Sequence, residues 1–425
     1  MKILIFSTAY LPFIGGAELA IKEITDRTPD ISFTLITARF KRDLPKSEKI
    51  GNVEVYRVGL GTSVDKWLLP WLGFRKAKLL ERKESFDVVW SMMASQGSIA
   101  AAFFKQAFPQ KKLVLTLQEG DEEAHLKRYV FGSDLLYRLL IRPWHLRVFK
   151  KADRITAISN YLAERARKNA PNTRMEVIPN GVDIAKFQIT NSKLQTNPNL
   201  QREEIRKKLG IQKEDKVVIT TSRLVEKNGI GDLILAMRYL PENVKLLICG
   251  IGHLENSYKL KTSSQGGSAS GGKSYKLEDR IRFLGHIPHE QLPGYLHAAD
   301  IFCRPALSEG MGSSFIEAMA ASLPVVATPV GGIPDFLNAP FPESEAEGSL
   351  FSNSHELENR WGETITGLFC EVGNPESIAE KVKLLLSNGE LRNKIIENAS
   401  KMVREKYGWE WITKKMQEIF HPLVF

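Results

Sequence analysis

The sequence predicts an α/β chain with two doubly wound, Rossmann-like domains facing one another across a cleft. Two observations carry this expectation. Short apolar runs alternate with longer amphipathic stretches, which is the pattern of a parallel sheet covered on both faces. The alternation also runs twice: it stops at the polar stretch Asn191–Asn199 and then starts again. The predicted domains are therefore residues 1–190 and 200–405.

In the first set, Ile3–Phe6, Ser32–Ile36, Val53–Val58, Val88–Trp90, Leu113–Leu117, Arg154–Ala157 and Glu176–Ile178 read as strands, with helical patterns such as Glu18–Thr25 between several of them. In the second, Lys216–Thr221, Val244–Cys249, Ile281–Leu284, Ile301–Arg304 and Pro324–Ala327 are strands, and Ile230–Tyr239, His289–Ala298 and Ser314–Ala321 are helices. Residues 262–274 are rich in Gly and Ser and are expected to form a mobile surface loop. Residues 339–354 are polar and acidic, a second excursion. The segment Tyr407–Phe420 is aromatic, basic and helical in pattern.

Composition limits the possible functions. With 425 residues, 43% hydrophobic and 25% charged, the chain is globular and long enough for two or three cores. Lys and Arg exceed Asp and Glu by 10, which suits an anionic partner without choosing among phosphorylated small molecules, nucleic acid and an acidic membrane face. The basic residues are dispersed and no nucleic-acid motif occurs, so nucleic acid is not expected as a partner. Cys249, Cys303 and Cys370 stand far apart, and the histidines form no ligand-spaced pair. That argues against a metal site or a disulfide framework and for a cytoplasmic protein. No run of 18 apolar residues occurs, so no spanning helix is expected. Thr8, Tyr10 and Pro12 interrupt the apolar opening, which reads as a first buried strand rather than a cleaved leader.

The richest stretch is Arg304–Ala320, RPALSEGMGSSFIEAMA. Gly310-Met311-Gly312 makes a turn after a strand, and Ser313 or Ser314 stands where it can cap the helix that follows. A glycine turn entering a helix presents amides beside a positive dipole end, which suits a phosphate. Glu309 and Glu317 then stand where they can reach hydroxyl groups of a ligand. The simpler reading of Ser314-x-x-Glu317 is a capping box that needs no ligand, and Glu309 on its own fits a solvated loop. In TSRLVEKNGI (221–230), Arg223 and Lys227 follow a strand's carboxyl end, where open α/β sheets bind ligands. They suit a pyrophosphate leaving group, or else form a solvated loop with an ion pair to Glu226. Gly15-Gly16 in FIGGAE (13–18) allows close backbone approach, but it is not GxGxxG. Cys249-Gly250-Ile251-Gly252 also lacks the third glycine, so a dinucleotide oxidoreductase is not supported. Asn180-Gly181 in IPNGVD (178–183) is a turn signal.

Taken in order, GGAE at 15–18, ITAISNYL at 155–162, VIPNGVD at 177–183, SRLVEKNG at 222–229, RFLGHI at 282–287 and SEGMGSSFIEAMA at 308–320 resemble family 4 of the retaining glycosyltransferases with the GT-B fold. The resemblance covers nearly the whole chain. It implies metal-independent transfer of a hexosyl unit from a nucleoside-diphosphate sugar of UDP or GDP type. That sugar is a co-substrate, and no cofactor or metal is expected.

It also implies roles. Glu309 would hold the donor sugar's hydroxyls and Glu317 the ribose, while Arg223 and Lys227 would stabilise the departing diphosphate. The amides of Gly16 and of Met311, Gly312, Ser313 and Ser314 would serve phosphates and sugar, and Phe283 and His286 would lie near the base. A carboxyl-terminal helix, 406–425 here, would cross back to the first domain.

The sequence departs from the family at the acceptor side. The loops after the fourth and fifth strands, Trp90–Met93 and Leu117–Asp121, lack the histidines many members carry. Tyr10, Gln118, Glu119, Asp121 and Asn180 are the candidates there. Lys227 is followed by Asn228 rather than directly by glycine.

The expected activity is transfer to a glycan, a lipid-linked or a small-molecule acceptor, in cell-envelope glycan or glycolipid biosynthesis. The alternatives are a non-catalytic nucleotide-sugar binder, and an epimerase or phosphorylase on the same fold. Basic and aromatic residues concentrate in Lys66–Lys83 and in Tyr137–Lys151, and such a face suits peripheral contact with an anionic membrane. Ordinary helices with solvated charges account for the same pattern.

Overall fold

The computed structural model describes residues 1–118, 127, 132–188, 198–263, 267–268, 274–275, 277–339 and 364–423. The chain divides into two compact units: Met1–Gly181 with Trp409–Phe425, and Val182–Gly408.

The first unit is built on one eight-stranded sheet. Its strands are β1 (Lys2–Phe6), β2 (Ser32–Ala38), β3 (Ser47–Ile50), β4 (Val53–Val58), β5 (Val88–Met92), β6 (Lys112–Leu117), β7 (Arg154–Ala157) and β8 (Arg174–Val177). The order is β3-β4-β2-β1-β5-β6-β7-β8, and only the β3–β4 pairing is antiparallel. The charged strand β3, SEKI, is absent from the expected set because it has no apolar run.

Alternation in β1 assigns the two faces. Ile3 and Ile5 pack with the helix Gly16–Asp26 and with Trp409, Ile412, Met416, Ile419 and Phe420. Leu4 and Phe6 pack on the other face with Leu69, Ala77 and Leu80 of the helix Asp65–Lys83 and with Ala100, Ala101 and Phe104 of the helix Gln96–Ala107. The buried positions of the terminal helix Trp409–Phe420 recur at helical spacing, and its Trp90–Phe420 contact places the ring centroids 5.3 Å apart. Burial of that stripe, at ~2 kcal/mol per large side chain, is what holds this distant piece of chain on the first sheet. Trp409 also lies on Gly181, where an added Cβ would come within 2.6 Å of its ring.

The second unit has a six-stranded, wholly parallel sheet. Its strands are β9 (Lys216–Thr221), β10 (Val244–Cys249), β13 (Ile281–Gly285), β14 (Ile301–Arg304), β15 (Val325–Ala327) and β16 (Leu368–Phe369), in the order β13-β10-β9-β14-β15-β16. Most of the expected mobile loop 262–274 lies outside the described residues. Of it, Thr262 and Ser263 end the helix Glu255–Ser263, and β11 (Gly267–Ser268) pairs antiparallel with β12 (Ser274–Tyr275). The excursion at 340–354 lies outside the described residues. Among the described residues no helix is long and apolar enough to cross a membrane.

Strand order reverses between β1 and β5 in the first sheet and between β9 and β14 in the second. In an open parallel sheet the loops leaving the carboxyl ends of two such strands diverge to opposite faces and leave a crevice between them, where ligands bind.

Candidate functional site

The reversal in the second unit brings together two loops from distant parts of the sequence. One leaves β9 and carries Arg223 and Lys227; the other leaves β14 and carries Glu309. They are fastened to each other through the backbone. The carbonyl of Lys227 accepts the amides of Leu307 at 2.8 Å and Ser308 at 3.3 Å. Gly229 has φ +66° and stands so close to Pro305 that a Cβ would lie 1.7 Å from its carbonyl oxygen, so only glycine fits. Asn228 closes the first loop, donating from Nδ2 to the Arg223 carbonyl at 2.7 Å. This accounts for the asparagine between Lys227 and the glycine. A third loop, after β15, is tied to the second where Gly332 N donates to Glu309 O at 3.2 Å.

Within this frame Arg223 is exposed and Lys227 half-buried. Glu309 is half-buried, and each of its carboxylate oxygens accepts a hydrogen bond: Oε1 from the Gly310 amide at 2.8 Å, Oε2 from Arg304. Arg304 is the residue sequence reasoning passed over. It ends β14 and is buried, yet it also donates from Nη1 to Ser314 Oγ at 3.0 Å and stacks on Phe315 at 4.3 Å. Burial pulls its pKa below the usual arginine value, and the charges of Glu309 and Glu317 oppose that pull. Its signal in the sequence was a charge ending an otherwise apolar buried strand.

The capping-box reading of Ser314 and Glu317 does not hold. The helix Ser313–Ala320 starts from Gly312, at φ +90°, with no side-chain cap. Arg304 takes the Ser314 hydroxyl, and Glu317 Oε1 lies 2.9 Å from His289 Nε2. The first-turn amides are therefore not taken by a side chain, which leaves the helix start suited to an anion. Met311 is buried, so its contribution there is its backbone. Phe283 is half-buried against the core of this unit, and His286 is exposed beyond β13. His289, not His286, is the histidine that reaches the Glu317 carboxylate.

In the first unit, Gln118 and Asn180 form a reciprocal amide pair at 2.8 and 2.7 Å. Gly16, at the start of its helix, lies beside them, a Cβ there falling 3.5 Å from Asn180 Nδ2. Tyr10 is a correction. It was expected on the acceptor side, but it is 1% exposed and packs in the core that includes Ala17, Ala20, Ile21 and Ile24. The ring's apolar area outweighs its single hydroxyl, and the helix Gly16–Asp26 covers it. Glu119 and Asp121 lie outside the described residues.

The class of protein is that of the glycosyltransferases with the GT-B fold. Residues 14–186 match the model of glycosyltransferase family 4, and residues 201–402 match that of glycosyl transferases group 1. The chain belongs to this family, the group 1 glycosyltransferases of family 4. It is 27% identical to an uncharacterised glycosyltransferase of Methanocaldococcus jannaschii, over 99% of this chain and 98% of the relative. It is 24% identical to a GDP-mannose-dependent monoacylated alpha-(1-6)-phosphatidylinositol monomannoside mannosyltransferase of Corynebacterium glutamicum, over 84% and 87% of the two chains. The Anabaena protein HepE, solved in complex with UDP, shares the fold with a TM-score of 0.71 and 19% identity, over 99% of this chain and 100% of that one.

Proposed function

We propose that the protein is a retaining hexosyltransferase that takes its sugar from a nucleoside diphosphate of UDP or GDP type. The carrying observation is the fastening of the Arg223–Lys227 loop to the Glu309 loop at the strand-order reversal, beside an uncapped helix start. On this reading the helix amides and the two cations receive the diphosphate, Glu309 holds the sugar's hydroxyls and Glu317 the ribose. Departure of the nucleoside diphosphate leaves an oxocarbenium-like sugar. The acceptor hydroxyl attacks from the face the leaving group vacates, which keeps the anomeric configuration, and its proton passes to the leaving phosphate. Arg223 and Lys227 neutralise the charge that develops on that phosphate, the role a divalent metal fills elsewhere. Fixed cations of this kind need no reorganisation as the bond breaks, and each is worth ~3 kcal/mol of barrier.

A surface of the first unit supports a membrane-held acceptor. The two basic, aromatic stretches meet on one residue: Phe103 touches Trp71 at 5.1 Å, Phe74 at 6.0 Å and Trp144 at 5.6 Å between ring centroids. Trp71 is 61% exposed and Leu139 63%. Arg75, Arg138, Arg142 and Lys150 are exposed on the same helical segments. Exposed aromatics flanked by basic side chains suit an anionic lipid surface.

The test of the donor reading is thermal stabilisation by UDP, GDP, ADP and their sugar conjugates, on the wild type and on Arg223→Ala. Stabilisation by one nucleotide, weakened in the variant, together with turnover lowered ~100-fold or more, supports it. Wild-type turnover in Arg223→Ala removes the proposed site.

A further inference from the structure

All four residues of β14, Ile301, Phe302, Cys303 and Arg304, are buried, and the strand lies between β9 and β15. Such a position ordinarily takes an aliphatic side chain. A guanidinium there costs desolvation free energy that its contacts must offset. Here the offset is incomplete, since Arg304 Nε is buried with no hydrogen-bond partner among the described residues. The remaining donors are specifically directed. Nη2 meets Glu309 Oε2, Nη1 meets Ser314 Oγ, and the planar face lies on Phe315. Gly312 is fitted against the same group, a Cβ there coming within 2.8 Å of Nη2.

We propose that Arg304 is a positioning residue for sugar transfer: from beneath the loop it fixes the Glu309 carboxylate and the start of the helix Ser313–Ala320 relative to each other. The proposal rests on the donor-site reading above. Arg304 does not touch the substrate. The segment between Arg304 and Ser313 has no helix or strand of its own to hold Glu309 in place. A planar fork with two arms in fixed relation sets both partners at once, whereas a lysine is a single point charge on a flexible stem. The arm on Glu309 occupies one lone pair of Oε2, and the Gly310 amide occupies one of Oε1. Each oxygen keeps capacity for a sugar hydroxyl, in an orientation set before the donor arrives.

The test combines Arg304→Met, Arg304→Lys, Glu309→Gln and the double variant Arg304→Met/Glu309→Gln. Three quantities are measured: kcat and KM for the donor sugar, calorimetric affinity for the free nucleoside diphosphate, and Tm. Arg304→Met is expected to lower kcat ~30-fold or more while nucleotide affinity changes less than ~3-fold. Glu309→Gln is expected to cost ~100-fold in the wild-type background but less than ~3-fold in Arg304→Met, because a carboxylate already out of position has little left to lose. Arg304→Lys keeps the charge and is expected to remain ~10-fold below wild type. If Arg304→Met does not fold, Arg304→Lys decides, and a wild-type kcat in that variant overturns the proposal. So does multiplication of the two single losses in the double variant. Absence of donor binding and transfer in the wild type removes the donor-site reading and this proposal with it. Wild-type transfer combined with an unaffected, folded Arg304→Met removes this proposal alone.

Discussion

His289 Nε2 lies 2.9 Å from Glu317 Oε1, and its other ring nitrogen lies 2.8 Å from Lys186 Nζ. A lysine ammonium has no lone pair, so Nδ1 is the acceptor in that pair. The ring proton therefore sits on Nε2 and is donated to Glu317. The imidazole is held in one tautomer, with its ring against Phe187 at 5.5 Å, and it aims one carboxylate oxygen of Glu317.

His289→Ala is accordingly expected to raise KM for the nucleotide sugar ~10-fold with kcat changed less than ~3-fold, since a residue that binds the ribose contributes equally to ground and transition states. His289→Gln restores an N–H donor and is expected to recover most of the loss. Initial-rate kinetics on the two variants check this. An unchanged KM in His289→Ala would separate Glu317 from nucleotide binding.

Glu309→Ala is expected to keep nucleoside-diphosphate affinity within ~3-fold and to lose transfer by ~100-fold. The carboxylate is clamped in the second loop while the cations stand in the first, so the two functions separate by residue. Calorimetry with the free nucleotide, run beside a transfer assay, distinguishes them. Equal loss of both would assign Glu309 to the nucleotide instead.

The surface around Phe103 is expected to bind vesicles containing anionic phospholipid, and to release them as salt rises. Trp71→Ser combined with Leu139→Ser is expected to lower that binding ~10-fold with little change in Tm, because both side chains are largely exposed and Trp71 gives up only its contact with Phe103. Co-sedimentation at two salt concentrations reads both effects. No binding to anionic vesicles at low salt would leave a water-borne acceptor.

Asp65 gives a pH-dependent outcome. Burial raises its pKa, but the amides of Leu60, Thr62 and Gly61, with the charge of Arg39, outweigh that and hold it below the usual aspartate value. A carboxyl group depressed in the folded state stabilises above its unfolded pKa, near ~3.9, and loses that contribution as pH falls through the lower folded value. Asp65→Asn is expected to destabilise the first unit by about 2 kcal/mol at neutral pH. The gap from wild type should close as pH falls below ~4. Denaturant melts at several pH values check the sign, and a gap that widens on acidification would contradict it.

Much of the frame is legible in the sequence. The runs at Ile3–Phe6, Lys216–Thr221, Val244–Cys249 and Ile301–Arg304 read as strands because a parallel strand buried on both faces must be apolar throughout. The charged edge strand Ser47–Ile50 was not legible, because half-exposed edge residues carry no such pattern. The Glu309 loop is legible from Gly310 and Gly312, whose turn chemistry is local, and the other loop from Arg223 and Lys227 standing just past the carboxyl end of an apolar strand. Arg304 was not, because a charged residue at a strand end reads as the edge of the solvent until its burial is known.

What the sequence by itself determined is therefore the type and place of each element and the residues its loops present: Arg223 and Lys227 after β9, Glu309 after β14. Periodicity and turn preference act over a few residues, so they are written locally. Only the tertiary structure decided which partners those residues take. Ser314 and Glu317 have the spacing of a capping box, yet they turn to Arg304 and His289. Tyr10 has a polar end, yet it lies in the core. The physical reason is sheet order. Placing β9 beside β14, some eighty residues away in sequence, joins the Lys227 backbone to those of Leu307 and Ser308 and brings Arg304 beneath the loop of Glu309. Such long-range partners compete successfully with local ones only after burial has removed water as the alternative.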